Sequence, residues 1–361
     1  MMGCAISKQI LQSKKMHTNA DITTPFVLPL VDFAPFTSHD ASKQQLVAQQ
    51  IHDANCTHGF VCLRNSGISK SKISTAFASS RDLFAQSPAQ KESLKPIDPM
   101  SNTGYVGYGV EALNSSRRTD LKEAFNVRKT SPANGDFAGT PLSFQDGTME
   151  LWKDLERLGH VYAKCCALAL GLDLEYFSKT LTDMDLCTLR LLHYPPCAEA
   201  NVMEENEQID SECAIRVGEH TDFGLFTFLF IRDIDDDASL GLQIKHPSVD
   251  GTESEWQNVV FDKEALDLIA SDETAALLVN TGALLARWTN DIWTATAHRV
   301  IVSPKAASSH RYSIAMFLDP DSETVCRVHE SFVREGAEPK YEAIKSIDYL
   351  LMKLREARSV E

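Results

Sequence analysis

From about residue 186 onward, the chain consists of short apolar runs separated by Gly, Pro and Asp. Short apolar runs with turn-forming residues between them predict β-strands, and several in succession predict a sandwich or jelly roll. The predicted fold class is therefore mainly β with flanking helices. The runs are Leu186–Tyr194, Phe226–Ile231, Gly241–Ile244, Ala275–Val279, His298–Val302 and Tyr312–Phe317.

The part of the chain before these runs is mostly helical in pattern. A helix is predicted from about Ser42 to Gly59, and the clearest one covers 149–170, where apolar residues recur every three or four positions. Other expected elements are a short strand within 27–36 that ends near Pro35, a strand at Phe60–Leu63, a helix capped by Ser69 and a last helix at 340–357. We divide the chain into a flexible N-terminal tail (1–26), an N-terminal helical and β portion (27–180), a jelly-roll core (181–335) and a C-terminal helix (336–361).

Composition excludes several classes of protein. Of 361 residues, 43% are hydrophobic and 24% charged, which are ordinary globular values, and the net charge is −15. An acidic chain has no diffuse basic field for nucleic acid, and its apolar runs are too short for the ~20 residues of a membrane span. Nine cysteines at irregular spacing, with no Cys-x-x-Cys pair, indicate reduced thiols in an intracellular, cytoplasmic protein.

Residues 1–20 contain three lysines and no acid, and we interpret them as a disordered tail. If translation began at Met2, Gly3 and Cys4 would match a lipid-anchor pattern, and an organelle-targeting segment is the third alternative. Two acidic stretches, 199–212 and 233–237, are interpreted as solvated loops because neither follows the calcium-loop pattern.

The chemistry-bearing residues begin with His220 and Asp222. On an extended segment, residues i and i+2 face the same side, so these two supply two corners of a metal site. The best third ligand is His298, in a later apolar strand, because two His and one carboxylate on neighbouring strands form the facial triad of non-haem Fe(II) oxygenases. A zinc hydrolase could use the same residue types, but no His-Glu-x-x-His helix is present. Seven other histidines are interpreted as core or surface residues: His52, His58, His160, His193, His246, His310 and His329.

Arg311 and Ser313 lie thirteen and fifteen residues after His298. On a strand they share a face, and a guanidinium beside a hydroxyl is a good receptor for a carboxylate in a dry pocket. The alternative is that Arg311 forms an ion pair with Asp319 or Asp321.

Taken together, these motifs and several others resemble the isopenicillin-N-synthase-like branch of the Fe(II)/2-oxoglutarate-dependent dioxygenases. The resemblance covers roughly residues 27–330. It rests on Leu28–Asp32, His58–Phe60, Asp120–Phe125, Leu189–Pro196, His220–Asp222, Val279–Gly282, Trp288–Asn290, His298–Val300 and Arg311–Ser313, in that order. The fold it implies is a distorted double-stranded β-helix, a cupin-like jelly roll, with an N-terminal helical portion.

The resemblance also implies roles for particular residues. His220, Asp222 and His298 would ligate Fe(II), and Arg311 and Ser313, assisted by Tyr194, would hold the distal carboxylate of 2-oxoglutarate. The implied reaction uses O₂, with ascorbate as a support, to hydroxylate or desaturate a small organic metabolite, releasing succinate and CO₂. Two alternatives remain open: a 2-oxoglutarate-independent oxidase of the same fold, and a non-catalytic metal-binding protein.

The sequence departs from the family pattern in places. Leu192-His193 stands where many relatives have Asn-Tyr, which removes a polar contact near the co-substrate, and Ala283 replaces an Asp common after the Asn-x-Gly turn. Four aromatic residues, Phe223, Phe226, Phe228 and Phe317, would shield the site from water if they point inward. Core packing explains them equally well.

Overall fold

The computed structural model of the chain describes residues 25–96, 101–112, 119–196, 214–231, 239–247, 254–302 and 309–358. The strands are β1 (Phe26–Val27), β2 (Leu30–Asp32), β3 (Phe60–Arg64), β4 (Gly104–Val106), β5 (Glu123–Val127), β6 (Thr188–Tyr194), β7 (Ala214–His220), β8 (Phe226–Ile231), β9 (Ser239–Pro247), β10 (Ser254–Val260), β11 (Leu277–Thr281), β12 (His298–Val302), β13 (Arg311–Leu318), β14 (Val325–Cys326) and β15 (Ile344–Lys345). The α-helices are α1 (Ala41–Thr57), α2 (Lys70–Phe84), α3 (Pro88–Glu92), α4 (Ser131–Asn134), α5 (Leu142–Ala169), α6 (Glu175–Ser178), α7 (Lys263–Ser271), α8 (Ala283–Trp288) and α9 (Ser346–Arg358).

Two sheets face each other. The smaller sheet has the order β1-β10-β9-β12-β7, and the larger has the order β2-β3-β11-β8-β13-β6-β5-β4. Their pairings are antiparallel except for β1 with β10 and β2 with β3. The prediction of a mainly β fold with flanking helices is therefore confirmed, and the strands β2 to β5 of the N-terminal portion extend the same sheet as β6, β8, β11 and β13.

The larger sheet is buried on both of its faces. Every residue of β5 and β11 is buried, because helices α1, α2 and α5 cover the outer face while the smaller sheet covers the inner one. On the outer face, the ring of Tyr162 from α5 contacts the rings of Phe226 and Phe228 at centroid distances of 4.9 and 5.6 Å. Strands of this kind are apolar at successive positions rather than alternating.

The helix ends follow local chemistry. The Asp40 carboxylate caps α1 by accepting the backbone N–H groups of Ser42 and Lys43, and Gly59 follows the helix with a φ of +65°. The predicted cap of α2 is also confirmed, since the Ser69 hydroxyl accepts the N–H of Lys72 at 3.3 Å.

Several predicted boundaries were wrong. The single strand expected within 27–36 is two short strands separated by Leu28 and Pro29, because Pro29 has no N–H to donate to a continuous ladder. Helix α5 begins at Leu142 rather than 149, since Phe144 and Thr148 extend its buried face. Helix α9 begins at Ser346 rather than 340, because the residues just before it form β15.

Two apolar clusters join the sheets. One includes Phe60, Leu242 and Ile244, and the other includes Val217 and Val300. Members of both clusters, with other side chains of the two sheets, line a pocket.

Candidate metal centre and active-site pocket

The pocket contains His220, Asp222 and His298 at the edge where β7 and β12 pair. His220 is the last residue of β7 and His298 the first of β12, and the two are direct antiparallel partners. Asp222 follows two residues after the strand, so its side chain returns to the same side. One ligand atom from each residue lies within 4.8 Å of the others, and the Nε2 atoms of both histidines are 3.7 Å from Asp222 Oδ1.

Backbone carbonyls orient both imidazoles. The Nδ1–H of His220 donates to the Gly218 carbonyl at 2.8 Å, and that of His298 donates to the Thr296 carbonyl at 3.0 Å. Because a carbonyl only accepts, each ring carries its proton on Nδ1 and presents the lone pair of Nε2 to the shared space. Hydrogen bonds of this kind fix the tautomer and direction of metal-binding histidines.

The Asp222 carboxylate is oriented in the same way. Its Oδ2 accepts the Thr227 hydroxyl at 2.6 Å and the Asn280 amide at 2.7 Å, which leaves Oδ1 directed toward the two Nε2 atoms. Thr227 lies on β8 and Asn280 on β11, so the larger sheet positions the side chain of Asp222, which follows a strand of the smaller sheet. Sequence reasoning gave neither residue this role, because the contact depends on the packing of two sheets.

The charges of His220 and Asp222 suit a divalent cation. Burial, reinforced by the charge of His298, lowers the pKa of His220 to about 4. Burial alone would raise the pKa of Asp222, but the neighbouring histidines and the hydrogen bonds from Thr227 and Asn280 outweigh it and lower the pKa. At neutral pH His220 is thus a neutral imidazole and Asp222 an anionic carboxylate, the forms that bind metal. This donor set fits Fe(II).

Arg311 and Tyr194 lie opposite each other on β13 and β6. The Arg311 guanidinium lies over the Tyr194 ring, 4.9 Å from its centroid, and its Nη2 donates to the Leu240 carbonyl at 3.1 Å. Its Nη1 is buried without a hydrogen-bond partner. Among the described residues no carboxylate lies within ion-pair distance of Arg311, and Asp321 instead accepts backbone N–H groups of Asp183 and Met184. The alternative of an ion pair with Asp319 or Asp321 was therefore wrong.

An unsatisfied buried guanidinium N–H is costly unless an anion completes it. Arg311, Ser313 and Tyr194 all line the pocket that also holds His220, Asp222 and His298. Leu192, which replaces the family's Asn, pairs with Ser313 across the strands and lines the same pocket. The surroundings of Arg311 fit the distal carboxylate of a 2-oxoacid.

The four aromatic residues divide into two pairs. Phe223 and Phe317 line the pocket, as the shielding interpretation requires. Phe226 and Phe228 lie on the opposite face of the larger sheet and pack in the core against α5. Phe226 and Phe228 share one face of β8 because they are two residues apart, and the sequence alone did not indicate which face of that strand pointed into the pocket.

The remaining wall of the pocket was not predicted. It includes two cations, Lys122 and Arg190, and two residues of the last helix, Leu350 and Leu354. Asp319, directly after β13, also lines it. These residues come from distant parts of the chain, and only the fold brings them to one pocket.

The loop that carries Asp222 is packed tightly against the turn after β11. A Cβ atom on Gly282 would overlap the backbone of Gly224, and the N–H of Ala283 donates to the Asp222 carbonyl at 2.7 Å. Only a glycine permits this approach of two backbones. Ala283 contributes its backbone rather than a side-chain contact, so the missing Asp leaves this connection intact.

Other histidines have partners away from the metal centre. His193 is buried on the outer side of the larger sheet, with Nδ1 2.7 Å from Glu123 Oε1 and Nε2 2.8 Å from His310 Nδ1. His58 and His246 form a second pair, 2.9 Å apart. Both acidic stretches and residues 1–24 lie outside the described residues. No helix in the described ranges has the length and apolar character to cross a membrane.

A jelly roll with two histidines and one carboxylate around an open pocket defines a mononuclear non-haem metal enzyme. Two family profiles match the chain: "non-haem dioxygenase in morphine synthesis N-terminal" over residues 28–147, and "2OG-Fe(II) oxygenase superfamily" over residues 186–320. The chain belongs to the Fe(II)/2-oxoglutarate-dependent oxygenases, in their isopenicillin-N-synthase-like branch.

Similar proteins agree with this family. The 2-oxoglutarate-Fe(II) type oxidoreductase ppzD of Metarhizium rileyi is 29% identical, over 90% of this chain and 89% of its own length. The relative ppzC of the same organism is 25% identical, over 91% and 87%. The crystal structure of a full-length Neurospora crassa protein in complex with alpha-KG (2-oxoglutarate) superimposes with a TM-score of 0.72 at 28% identity, covering 93% of this chain and 98% of that one. A complex of the same Neurospora protein with alpha-KG and thymine gives a TM-score of 0.72 at 27% identity, covering 94% and 98%.

The predicted class of enzyme is thereby confirmed. The chain is a 2-oxoglutarate-dependent dioxygenase that acts on a small molecule, with Fe(II) as its metal and 2-oxoglutarate as its co-substrate. The 2-oxoglutarate-independent oxidase and the non-catalytic protein are set aside.

Proposed function

We propose that His220, Asp222 and His298 bind the Fe(II), and that Arg311, Ser313 and Tyr194 bind the distal carboxylate of 2-oxoglutarate. When bound, Fe(II) and 2-oxoglutarate would supply the chemistry that activates O₂: one oxygen atom would enter succinate as 2-oxoglutarate loses CO₂, and the other would oxidise a C–H bond of the substrate. The protein hydroxylates or desaturates a small organic metabolite held in the same pocket. The residues of the chain bind and orient the reactants, and they exclude water from the pocket.

The buried Nη1 of Arg311 is the observation that carries this proposal. One face of the guanidinium is occupied by the Tyr194 ring, and Nη2 is engaged by Leu240, so Nη1 remains for a ligand in the pocket. A second support is the Asp222 carboxylate. Its Oδ2 accepts hydrogen bonds from Thr227 and Asn280, and its Oδ1 remains for the metal. Phe223 and Phe317 limit the access of water to the space between these groups.

The test is a titration of 2-oxoglutarate, followed by succinate release, with iron quantified in the same samples. Arg311→Lys should raise the half-saturating concentration steeply, since an ammonium cannot reproduce the planar fork. Breaking a buried charged contact costs about 2–5 kcal/mol, equivalent to about 30-fold to several thousand-fold in affinity. Iron content should remain near wild type, and Ser313→Ala should cost less, about 1–3 kcal/mol.

Arg64→Lys is the matched control. Arg64 forms a two-pronged contact with Asp272, at 2.9 and 2.6 Å, and does not line the pocket. Its replacement should leave the 2-oxoglutarate requirement unchanged. An Arg311→Lys enzyme that saturates at the wild-type concentration would contradict the proposed role of Arg311.

We further infer that residues 181–335 form the catalytic core. We also infer a cytoplasmic location for the protein. The support for the location is chemical, because the six described cysteines, Cys56, Cys62, Cys165, Cys166, Cys187 and Cys326, are all unpaired. Lipid attachment at Gly3 or Cys4 stays a prediction.

A further inference from the structure

Asp319 is a buried carboxylate in the pocket that the proposed roles leave unused. It follows β13 directly, lines the pocket and is only 5% exposed. Its backbone is held on both sides by Cys187, whose Sγ lies 3.4 Å from the Asp319 nitrogen and 3.3 Å from its oxygen. Its side-chain oxygens have no hydrogen-bond donor among the described residues.

The position of this carboxylate is fixed by its contact with Gly224. A Cβ atom added to Gly224 would lie 2.6 Å from Asp319 Oδ1 and 2.7 Å from the Leu318 carbonyl. Gly224 is two residues beyond Asp222, so the Asp319 carboxylate lies against the loop that carries a metal ligand. It therefore borders the part of the pocket next to the metal centre.

A buried carboxylate without donors is unfavourable for the free protein. Burial raises the pKa of Asp319 to about 7, the positive charge of Arg128 opposes this rise, and the nearby Asp222 adds to it. No ion pair with Arg128 forms, because the Arg128 Nη1 donates instead to the Asp185 carbonyl. In an active-site pocket, the hydrogen bonding of such a carboxylate is completed when a bound ligand supplies the missing donor.

The other charges of this wall are already matched. Lys122 contacts Glu111 at 3.1 Å and Asp120 at 3.0 Å, and Arg190 forms a close ion pair with Glu111. Arg128 also supplies positive charge near Asp319, so a cationic ligand is not required to balance the charge of this carboxylate. Apolar side chains, among them Leu186 and Phe317, surround the remaining space.

We propose that Asp319 binds an uncharged N–H or O–H group of the primary substrate, which is a small and otherwise mainly apolar compound. The inference rests on the proposed function, because it places this substrate in the pocket beside Fe(II) and 2-oxoglutarate. Asp319 is then a specificity-determining residue: it selects compounds that present a donor near the metal centre.

The test uses matched pairs of probes that differ only by methylation of the donor. The pairs are 2-pyridone with N-methyl-2-pyridone, thymine with 1,3-dimethylthymine, and phenol with anisole; benzylamine represents a cation. Binding is measured by calorimetry on the holoenzyme loaded with Mn(II) and N-oxalylglycine, an unreactive analogue of 2-oxoglutarate, so no turnover is required. In wild type, at least one donor should bind about tenfold to a hundredfold more tightly than its methylated partner.

The variants assign this preference to Asp319. Asp319→Leu should abolish it, and Asp319→Asn, which keeps an acceptor oxygen, should retain part of it. The matched control is Glu323→Gln, because Glu323 is an exposed acid paired with Lys345 at 2.8 Å and should leave the preference unchanged. Thermal unfolding of the ligand-free proteins distinguishes a role in binding from a role in stability. If Asp319 acts in binding, the unfolding temperature of Asp319→Leu should be no lower than that of wild type.

Three results would overturn the inference: no preference for any donor in wild type, the same preference in Asp319→Leu, or tighter binding of benzylamine than of every neutral donor. The proposed function is tested apart from it, by substrate-independent succinate release and iron content in the same preparations. Wild type that forms no succinate would refute the proposed function. Normal succinate release together with an unaltered preference in Asp319→Leu would refute only the role of Asp319.

Discussion

At the scale of single residues, the proposed metal centre depends on the hydrogen bonds that orient its three side chains. Thr227→Val removes the hydroxyl that donates to Asp222 Oδ2 at nearly constant volume, while Asn280 continues to donate. We expect the affinity for Fe(II) to fall about tenfold to a hundredfold, because such supporting contacts orient the ligand. A competition titration with a metal chelator measures it, and the exposed Thr182→Val serves as the control. Unchanged affinity would mean that Asn280 alone holds the carboxylate.

The residues of the centre differ in how far the sequence could predict them. His220, Asp222 and His298 were predicted, because ligand chemistry and the i, i+2 rule act over a few residues. Thr227 and Asp319 could not be assigned, since their roles arise where one sheet packs on another. The same reason explains Phe226 and Phe228, whose chemistry suits either face of a strand.

At the scale of elements, the last helix completes the pocket. Leu350 and Leu354 of α9 line it, while the helix is attached through β15 and by the hydroxyl of Ser346, which donates to the Pro320 carbonyl at 2.9 Å. Replacing both leucines with Ala should weaken the binding of any compound that stimulates succinate release by about tenfold or more, given about 0.8 kcal/mol per buried CH₂. The half-saturating concentration of that compound measures the effect.

Met352→Ala is the control for this experiment, because Met352 lies on the same helix and is 39% exposed. The 2-oxoglutarate requirement should not change in either variant. If the double variant bound the stimulating compound as wild type does, α9 would cover the pocket without contacting the substrate. The sequence predicted this helix but not its role, since its periodicity shows an apolar face and not what that face covers.

At the scale of the whole molecule, stability should depend on pH through Asp319. Its pKa is about 7 in the folded protein and near 3.8 when exposed, so between these values the folded state holds a proton that the unfolded state releases. The free energy of unfolding therefore falls as pH rises through this window, and the cost is complete above pH 7. In metal-free protein, Asp319→Leu should gain on the order of a few kcal/mol over wild type at pH 7.5 and little at pH 4.5.

Denaturant unfolding of both proteins at the two pH values measures this difference. Because the other titrating groups are common to both proteins, their contributions cancel in the comparison. An advantage of Asp319→Leu that is equal at both pH values would show that the carboxylate does not change its protonation on folding.

The sequence predicted the type of fold more fully than it predicted every strand of the two sheets. Turn residues between apolar runs indicated the jelly roll, whereas β1, β4 and β10 joined the sheets without a clear sequence pattern. The edge strands β1 and β4 are only two and three residues long, and β10 lies inside the smaller sheet between β1 and β9. Their pairing is decided by the neighbouring strands.

The contact between Gly224 and Gly282 also restricts how this enzyme can diversify. A side chain at Gly282 would displace the loop of Asp222, and one at Gly224 would displace Asp319 as well. Both positions are therefore closed to stepwise variation, whereas Leu350 and Leu354 border the same pocket from a helix that can be altered without touching either loop. New substrate preferences should arise first through exchanges in α9, and a saturation library should show tolerance there and intolerance at the two glycines.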